Sequence, residues 1–161
     1  MSRTDFYEED TQACRYLTFL VDGTVFGIEI AGVSEIIQIM PITEVPEVPP
    51  YLKGVVNLRG KVLPVMDLRI KFGKPPAEYT DRTCIIVVVI QGVTVGLIVD
   101  GVCEVVFIPD EDIVPPPSLK AVSQNKYITG IGKVGDDVKL IVDCDEILKE
   151  EEINELKASD F

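Results

Sequence analysis

The chain has no histidine and no tryptophan in 161 residues. Without histidine there is no Ser-His-Asp or Cys-His device, no phosphohistidine and no common metal triad. A Cys/His zinc site is excluded for the same reason, and Cys14, Cys84, Cys103 and Cys144 stand far apart with no CxxC spacing. Cations are scarce as well: 15 Lys and Arg face 27 Asp and Glu, a formal net charge of −12. That balance argues against nucleic acid or an anionic membrane as partner, since both are held through clustered Lys and Arg. No apolar run approaches the ~20 residues a membrane helix requires. Residues 1–12 are polar and acidic and contain no apolar signal-peptide segment. The default expectation is a cytoplasmic protein with no direct insertion into membrane.

Nucleotide-binding signatures are missing too. Gly60-Lys61 is not followed by Ser or Thr, and no GxGxxG opens a helix after a strand. Asp136-Asp137 looks like a carboxylate pair, but it follows Gly135 between two expected strands, where a hairpin turn explains it better. The four cysteines read as structural, with Cys84 and Cys103 in expected strands as small hydrophobes. We expect no enzyme, no cofactor and no metal.

What is present is a sequence written twice. Shifted by 69 positions, Arg15–Ile39 falls on Cys84–Ile108, with Gly23 on Gly92, Gly27 on Gly96, Gly32 on Gly101 and Glu35 on Glu104. Shifted by 76, Tyr51–Phe72 falls on Tyr127–Leu148, with Gly54 on Gly130 and Asp67 on Asp143. Glycines recurring at turn-like positions imply repeated backbone geometry. Apolar residues make up 47% of the chain and are mostly Val and Ile, which points to strands. Asp22-Gly23 and Gln91-Gly92 between apolar runs predict hairpins. Each hairpin leads into a short segment readable as a helical turn or a bent strand (Ala31–Ile36, Asp100–Val106), then a Pro-rich stretch, then two more strands and a helix. The helices are expected over Asp67–Phe72 and Asp143–Leu156, the second opening on a capping box of Asp143 and Glu146.

The predicted fold is mainly β: two SH3-like five-stranded β-barrel subdomains packed side by side, with short helices and a C-terminal helix. Closing small strand sets into barrels protects their edges. Residues 1–12 form an acidic, disordered tail in this reading. Residues 13–157 form the folded unit, built of repeats 15–73 and 84–148 joined by Gly73–Arg82. The sequence leaves open whether a strand is exchanged between the lobes. A further acidic run, Asp143–Glu155, holds seven acids and one Lys and reads as a solvated helix face.

The copies diverge at one loop. The first reads Asn57-Leu58-Arg59-Gly60 where the second reads Lys133-Val134-Gly135-Asp136. The first thus projects one Arg, the residue suited to clamp a carboxylate with a planar fork. Glu35 is a partner for it, and a solvated hairpin-tip charge is the plain alternative.

Four segments carry a resemblance: VSEII (Val33–Ile37), YLKGVVNLRGKVLPVMDLRIKFG (Tyr51–Gly73), VGLIVDGV (Val95–Val102) and YITGIG (Tyr127–Gly132). Through them residues 14–157 resemble the CheW family of chemotaxis coupling proteins. The resemblance implies paired SH3-like barrels and no catalysis. It implies an adaptor between the cytoplasmic tips of chemoreceptors (methyl-accepting chemotaxis proteins) and the regulatory domain of the CheA-type histidine kinase. The family's receptor-contacting surface falls on Val33, Glu35, Gly54, Asn57, Leu58, Arg59 and Gly60, with Glu35 and Arg59 as its acid–base pair. Gly130 matches another family glycine beside the same groove. Val33 has a plainer reading as a core residue, given its match to Val102. For the kinase side the candidates are Thr83 and Cys84, opening the second lobe, and Val114 and Leu119, flanking the Pro115–Pro117 insert. The alternatives are a small-ligand-binding two-lobed β protein and a regulatory module detached from a larger signalling protein.

Overall fold

A computed structural model describes residues 13–116, 127–148 and 150–158. The first half contains β1 (Arg15–Val21), β2 (Thr24–Glu29), β3 (Val33–Gln38), β4 (Leu52–Leu58), β5 (Lys61–Asp67) and α1 (Leu68–Lys71). The second contains β6 (Cys84–Ile90), β7 (Val93–Val99), β8 (Gly101–Phe107), β9 (Ile113–Val114), β10 (Ile128–Val134), β11 (Asp137–Val142), α2 (Cys144–Ile147) and α3 (Glu150–Ala158). The duplication is kept at the level of elements. The 69-residue shift carries β1, β2 and β3 onto β6, β7 and β8, and the 76-residue shift carries β4, β5 and α1 onto β10, β11 and α2. Even the helix caps repeat: Asp67 accepts a hydrogen bond from Arg69 N and Asp143 from Asp145 N, each at 2.9 Å.

The strands do not sort by repeat. One sheet runs β8-β1-β2-β11-β10-β9 and the other β3-β6-β7-β5-β4. Each N-terminal hairpin therefore lies among strands of the other half, antiparallel to one (β1 to β8, β6 to β3) and parallel to another (β2 to β11, β7 to β5). These hairpin strands are buried on both faces, which explains their nearly unbroken apolar sequence. From β6, Ile86, Val88 and Ile90 enter a central core shared by both sheets, with Phe19, Ile28, Leu97 and Ile147. Ile85 and Val87 enter a separate cluster with Val56, Leu63, Val65 and Ile98 inside the five-stranded sheet. A smaller cluster of Tyr16, Val106, Ile108 and Ile141 fills the six-stranded one.

Three expectations are revised. In place of five-stranded barrels, strand pairing yields one six-stranded and one five-stranded sheet, with no closed barrel among the described residues. One isolated bridge, Thr43 to Val55, ties the segment after β3 to the edge strand β4. The helix expected over 143–156 is interrupted, because Leu148 is extended (φ −110, ψ 133). The interruption seats consecutive Ile147 and Leu148 in the core, with Ile153 of α3 beside them. The Asp143 N–H is held by the Tyr127 carbonyl, so its cap takes the form of a single Asp143–Asp145 bond. Finally, Cys103 is not a core thiol: it is exposed on the edge strand β8, where Val105 and Phe107 are exposed too. The acidic tail and the Leu119 segment lie outside the described residues.

Candidate functional site

The β4–β5 hairpin turns over two residues, Arg59 and Gly60, between paired Leu58 and Lys61. Their φ values are +52 and +85, the signature of a type I′ turn. Asn57 braces it, its Oδ1 accepting from Gly60 N at 2.9 Å. Arginine at positive φ is uncommon, since a Cβ crowds the backbone there. The equivalent position in the second half is Gly135, at φ +61. One lobe thus carries a guanidinium where the other has the residue that the backbone prefers.

Glu35 reaches this guanidinium because β3 contains a bulge. Val33 pairs with Val88 and Glu35 with Val87, so Ser34 is the extra residue. A bulge re-aims the side chains on either side of it. Val33, half-buried, packs against the central core that contains Val88. Glu35 lies opposite Val87, which belongs to the inner cluster of the five-stranded sheet. Arg59 Nη2 donates to Glu35 Oε2. The arginine side chain is 68% exposed and the glutamate 32%. The hydrogen bond from the guanidinium to Glu35, and then the charge of Glu35, raise the Arg59 pKa.

The pair stands at the rim of a concavity of about 500 Å³. Leu58, Lys61 and Val62 form its wall, and the buried Leu63 and Val87 lie beneath. Of the residues expected on the receptor side, Glu35, Leu58 and Arg59 come together here. Val33, Gly54, Asn57 and Gly60 do not line it. Asn57 and Gly60 shape the turn. Gly54 acts further away: at φ +145, a Cβ there would lie well inside contact distance of the Thr43 carbonyl oxygen and 2.8 Å from its carbon. Its role is to admit the Thr43 backbone and the Ile42 side chain. Lys61 and Val62 were missed as site residues, although their place directly after the turn was readable.

The kinase-side candidates scatter. Thr83 is only 4% exposed. Its Oγ1 accepts from Thr80 N at 2.8 Å and its carbonyl from Ile39 N at 3.2 Å, so it pins the linker rather than presenting a side chain. Cys84 is half-buried against the central core, its thiol donating to the Arg82 carbonyl at 3.3 Å. Val114 is half-buried in β9, paired with Ile131. Leu119 lies outside the described residues.

Two polar networks were not foreseen. Arg69 binds both oxygens of Asp100 through Nε (3.0 and 3.1 Å), and Asp22 and the Pro75 carbonyl through Nη1 (3.2 and 3.1 Å). It thereby ties the β1–β2 turn and the β7–β8 bend to α1. Beside it the Tyr79 hydroxyl donates to Asp67 at 2.9 Å, and burial with that carboxylate raises the tyrosine pKa. Lys71 Nζ meets Glu152 of α3 at 2.8 Å and lies 4.0 Å from the Tyr51 ring centre. Among the described residues, no group of three or more His, Cys, Asp or Glu is placed to hold a metal ion, and no helix is long and apolar enough to cross a membrane.

Comparison with known proteins agrees with this geometry. Residues 15–152 match the family model of the CheW-like domain. The chemotaxis protein CheW of Klebsiella aerogenes is 34% identical over 144 residues, covering 89% of this chain and 87% of the relative. That of Bacillus subtilis is 34% identical over 137 residues, covering 85% and 88%. A crystal structure of the scaffolding protein TtCheW from Thermoanaerobacter tengcongensis superposes with a TM-score of 0.74 at 35% identity, covering 80% of this chain and 87% of that one. With the family model spanning both repeats and the turn that distinguishes them, this chain belongs to the CheW family of chemotaxis proteins.

Proposed function

We propose that the chain is a non-catalytic adaptor that couples the cytoplasmic tips of chemoreceptors to the regulatory domain of a CheA-type histidine kinase. The observation that carries this reading is the Glu35–Arg59 pair at the rim of an apolar-floored concavity, in the one repeat whose turn bears a cation. A receptor tip is a helical hairpin, and a groove with an apolar floor suits the apolar face of a helix. In this reading Glu35, Leu58 and Arg59 contact the receptor. Asn57, Gly60 and Gly54 hold the backbone that presents them, and Val33 supports β3 from the core side. For the kinase side the candidates remain Thr83, Cys84 and Val114, together with Leu119, which lies outside the described residues. Each lobe is read as SH3-like, its ladder curled around its own apolar cluster. The protein acts in the cytoplasm, recruited to receptor arrays, without catalysis and without a cofactor.

The test is a binding titration against a purified receptor-tip fragment and the kinase's regulatory domain, followed by a kinase assay with all three components. Saturable binding to both, with kinase activity rising only in the ternary mixture, is expected. Binding to neither partner sinks the adaptor reading while leaving the fold untouched.

A further inference from the structure

The duplication leaves one half covered where the other stays open. In the first, α3 packs on β7 and carries Ile153 into the central core, in the cluster that includes Leu52 and Val95. Its Glu152 accepts from the Tyr51 hydroxyl and meets Lys71. The repeat carries Tyr51, Leu52 and Val95 onto Tyr127, Ile128 and Phe26, and these three line a pocket of about 180 Å³. The halves part after their matching short helices: α2 leads into α3, whereas α1 leads into residues 73–82, which contain no helix. Aromatic rings wall the pocket. The Phe72 ring centre lies 5.2 Å from that of Phe26 and 5.3 Å from that of Tyr127. Lys74, exposed, is the cation of the lining, and no carboxylate lines the pocket among the described residues. The ion pairs of the described residues do not include Lys74. In a chain with 15 cations against 27 acids, a cation left in this way beside an aromatic pocket is a distinctive pairing.

We propose that this pocket binds a small organic acid, its single ring or short branched chain held among Phe26, Phe72 and Tyr127 and its carboxylate taken by the Lys74 ammonium. The molecule carries its own precedent, since the equivalent surface of the other half is covered by an apolar side chain, Ile153, with the carboxylate of Glu152 next to it. The volume suits one ring, well short of the roughly 300–1,000 Å³ of pockets for drug-sized ligands. Phe72 stands where the other half has Leu148 and offers a ring face for stacking. The ammonium supplies the sign of charge: an anion is drawn to it, and an amine is repelled. This site is separate from the Glu35–Arg59 concavity, with which it shares no lining residue, and it does not depend on the adaptor reading.

The experiment titrates the full chain with 3-phenylpropionate, neutral 3-phenylpropanamide and cationic 3-phenylpropylamine while following the amide resonances of Thr24, Ile128 and Leu140, which line the pocket. We expect saturable shifts with 3-phenylpropionate and a dissociation constant on the order of 1 mM, as for a ligand of about a dozen non-hydrogen atoms. The amide should bind about fivefold more weakly, as for the loss of an exposed ion pair, and the amine more weakly still. Lys74→Gln should lower the affinity for the acid to that for the amide and leave the amide unchanged. Thr24→Phe, which fills the mouth, should abolish binding of all three, and thermal melts confirm that both variants are folded. Shifts that fail to saturate, or equal affinity for acid and amide in the wild type, would overturn the proposal. Wild-type affinity for the acid in Lys74→Gln would overturn it as well, because the carboxylate then has another partner. If the same resonances move with protein concentration in the absence of ligand, a second copy occupies the pocket and the small acid is not its occupant.

Discussion

Replacing Gly54 with alanine tests whether the concavity depends on a close backbone approach several residues from its rim. The added Cβ would overlap the Thr43 carbonyl oxygen, lie 2.8 Å from its carbon and 3.0 Å from Ile42 Cγ2. Relief requires the Ile42–Thr43 backbone to move off β4. That breaks the paired hydrogen bonds between Thr43 and Val55, at 2.8 and 2.9 Å, each worth about 0.5–1.5 kcal/mol. Alanine at φ +145 adds strain of about 1–3 kcal/mol. Overpacking adds about 1–3 kcal/mol more, against a gain of about 0.4–1 kcal/mol from the stiffer unfolded chain. The expected loss is about 2–9 kcal/mol on the sum of these effects, a large part of the 5–15 kcal/mol typical of a domain. Urea denaturation measures it, with Gly23→Ala as the control. Gly23 has φ +78 but open space around a Cβ, so its variant reports backbone strain alone. If Gly54→Ala proves no more destabilising than Gly23→Ala, the Thr43 segment yields freely and the close-approach argument fails. Faster hydrogen exchange at the amides of Thr43 and Val55 is the local signature that accompanies the expected result.

Glu152→Ala removes the carboxylate that Lys71 Nζ meets at 2.8 Å and to which the Tyr51 hydroxyl donates; hydrogen bonds to charged groups are worth about 1.5–3 kcal/mol, and stability should fall by that order. Exchange of the α3 amides should quicken ahead of the sheet amides, and unchanged exchange would show that Ile153 alone holds the helix. Burial, followed by the charges of Asp143, Asp145 and Glu29, pushes the Cys144 thiol from 9.0 up to about 12. The folded state therefore keeps a proton that the unfolded state releases, so this contribution is intact below pH 9 and lost as pH rises towards 12. Stability should fall by up to about 1.4 kcal/mol per pH unit within that window. Urea midpoints of wild type and Cys144→Ala measured across the window should converge as pH rises, and parallel curves would refute the assignment.

Local rules made much of this protein legible. Asp22-Gly23, Gln91-Gly92 and Arg59-Gly60 fall between apolar runs and become two-residue hairpin turns with positive φ at both positions, because few residues other than Gly, Asn and Asp tolerate that geometry cheaply. The repeat predicted matching elements, and the helix caps at Asp67 and Asp143 repeat as well. The resemblance paired Glu35 with Arg59. Their meeting depends on the Ser34 bulge, a one-residue irregularity that leaves no mark in alternating hydrophobicity. Cys103 was misplaced because apolar alternation on an edge strand does not say which face is covered.

What the sequence alone determined is local: where the chain turns, which segments extend, that two halves share a plan, and that histidine chemistry is excluded. The tertiary structure decided partnership. It set each hairpin among strands of the other half, placed Thr83 in the interior, joined Lys71 to Glu152 across 81 positions and put Lys61 and Val62 beside the Glu35–Arg59 pair. The physical reason is that turn and strand preferences act over a few residues, whereas burial depends on which surfaces meet. Two halves with the same strand pattern can supply equivalent partners to either hairpin, and only the shared core of both sheets selects among them.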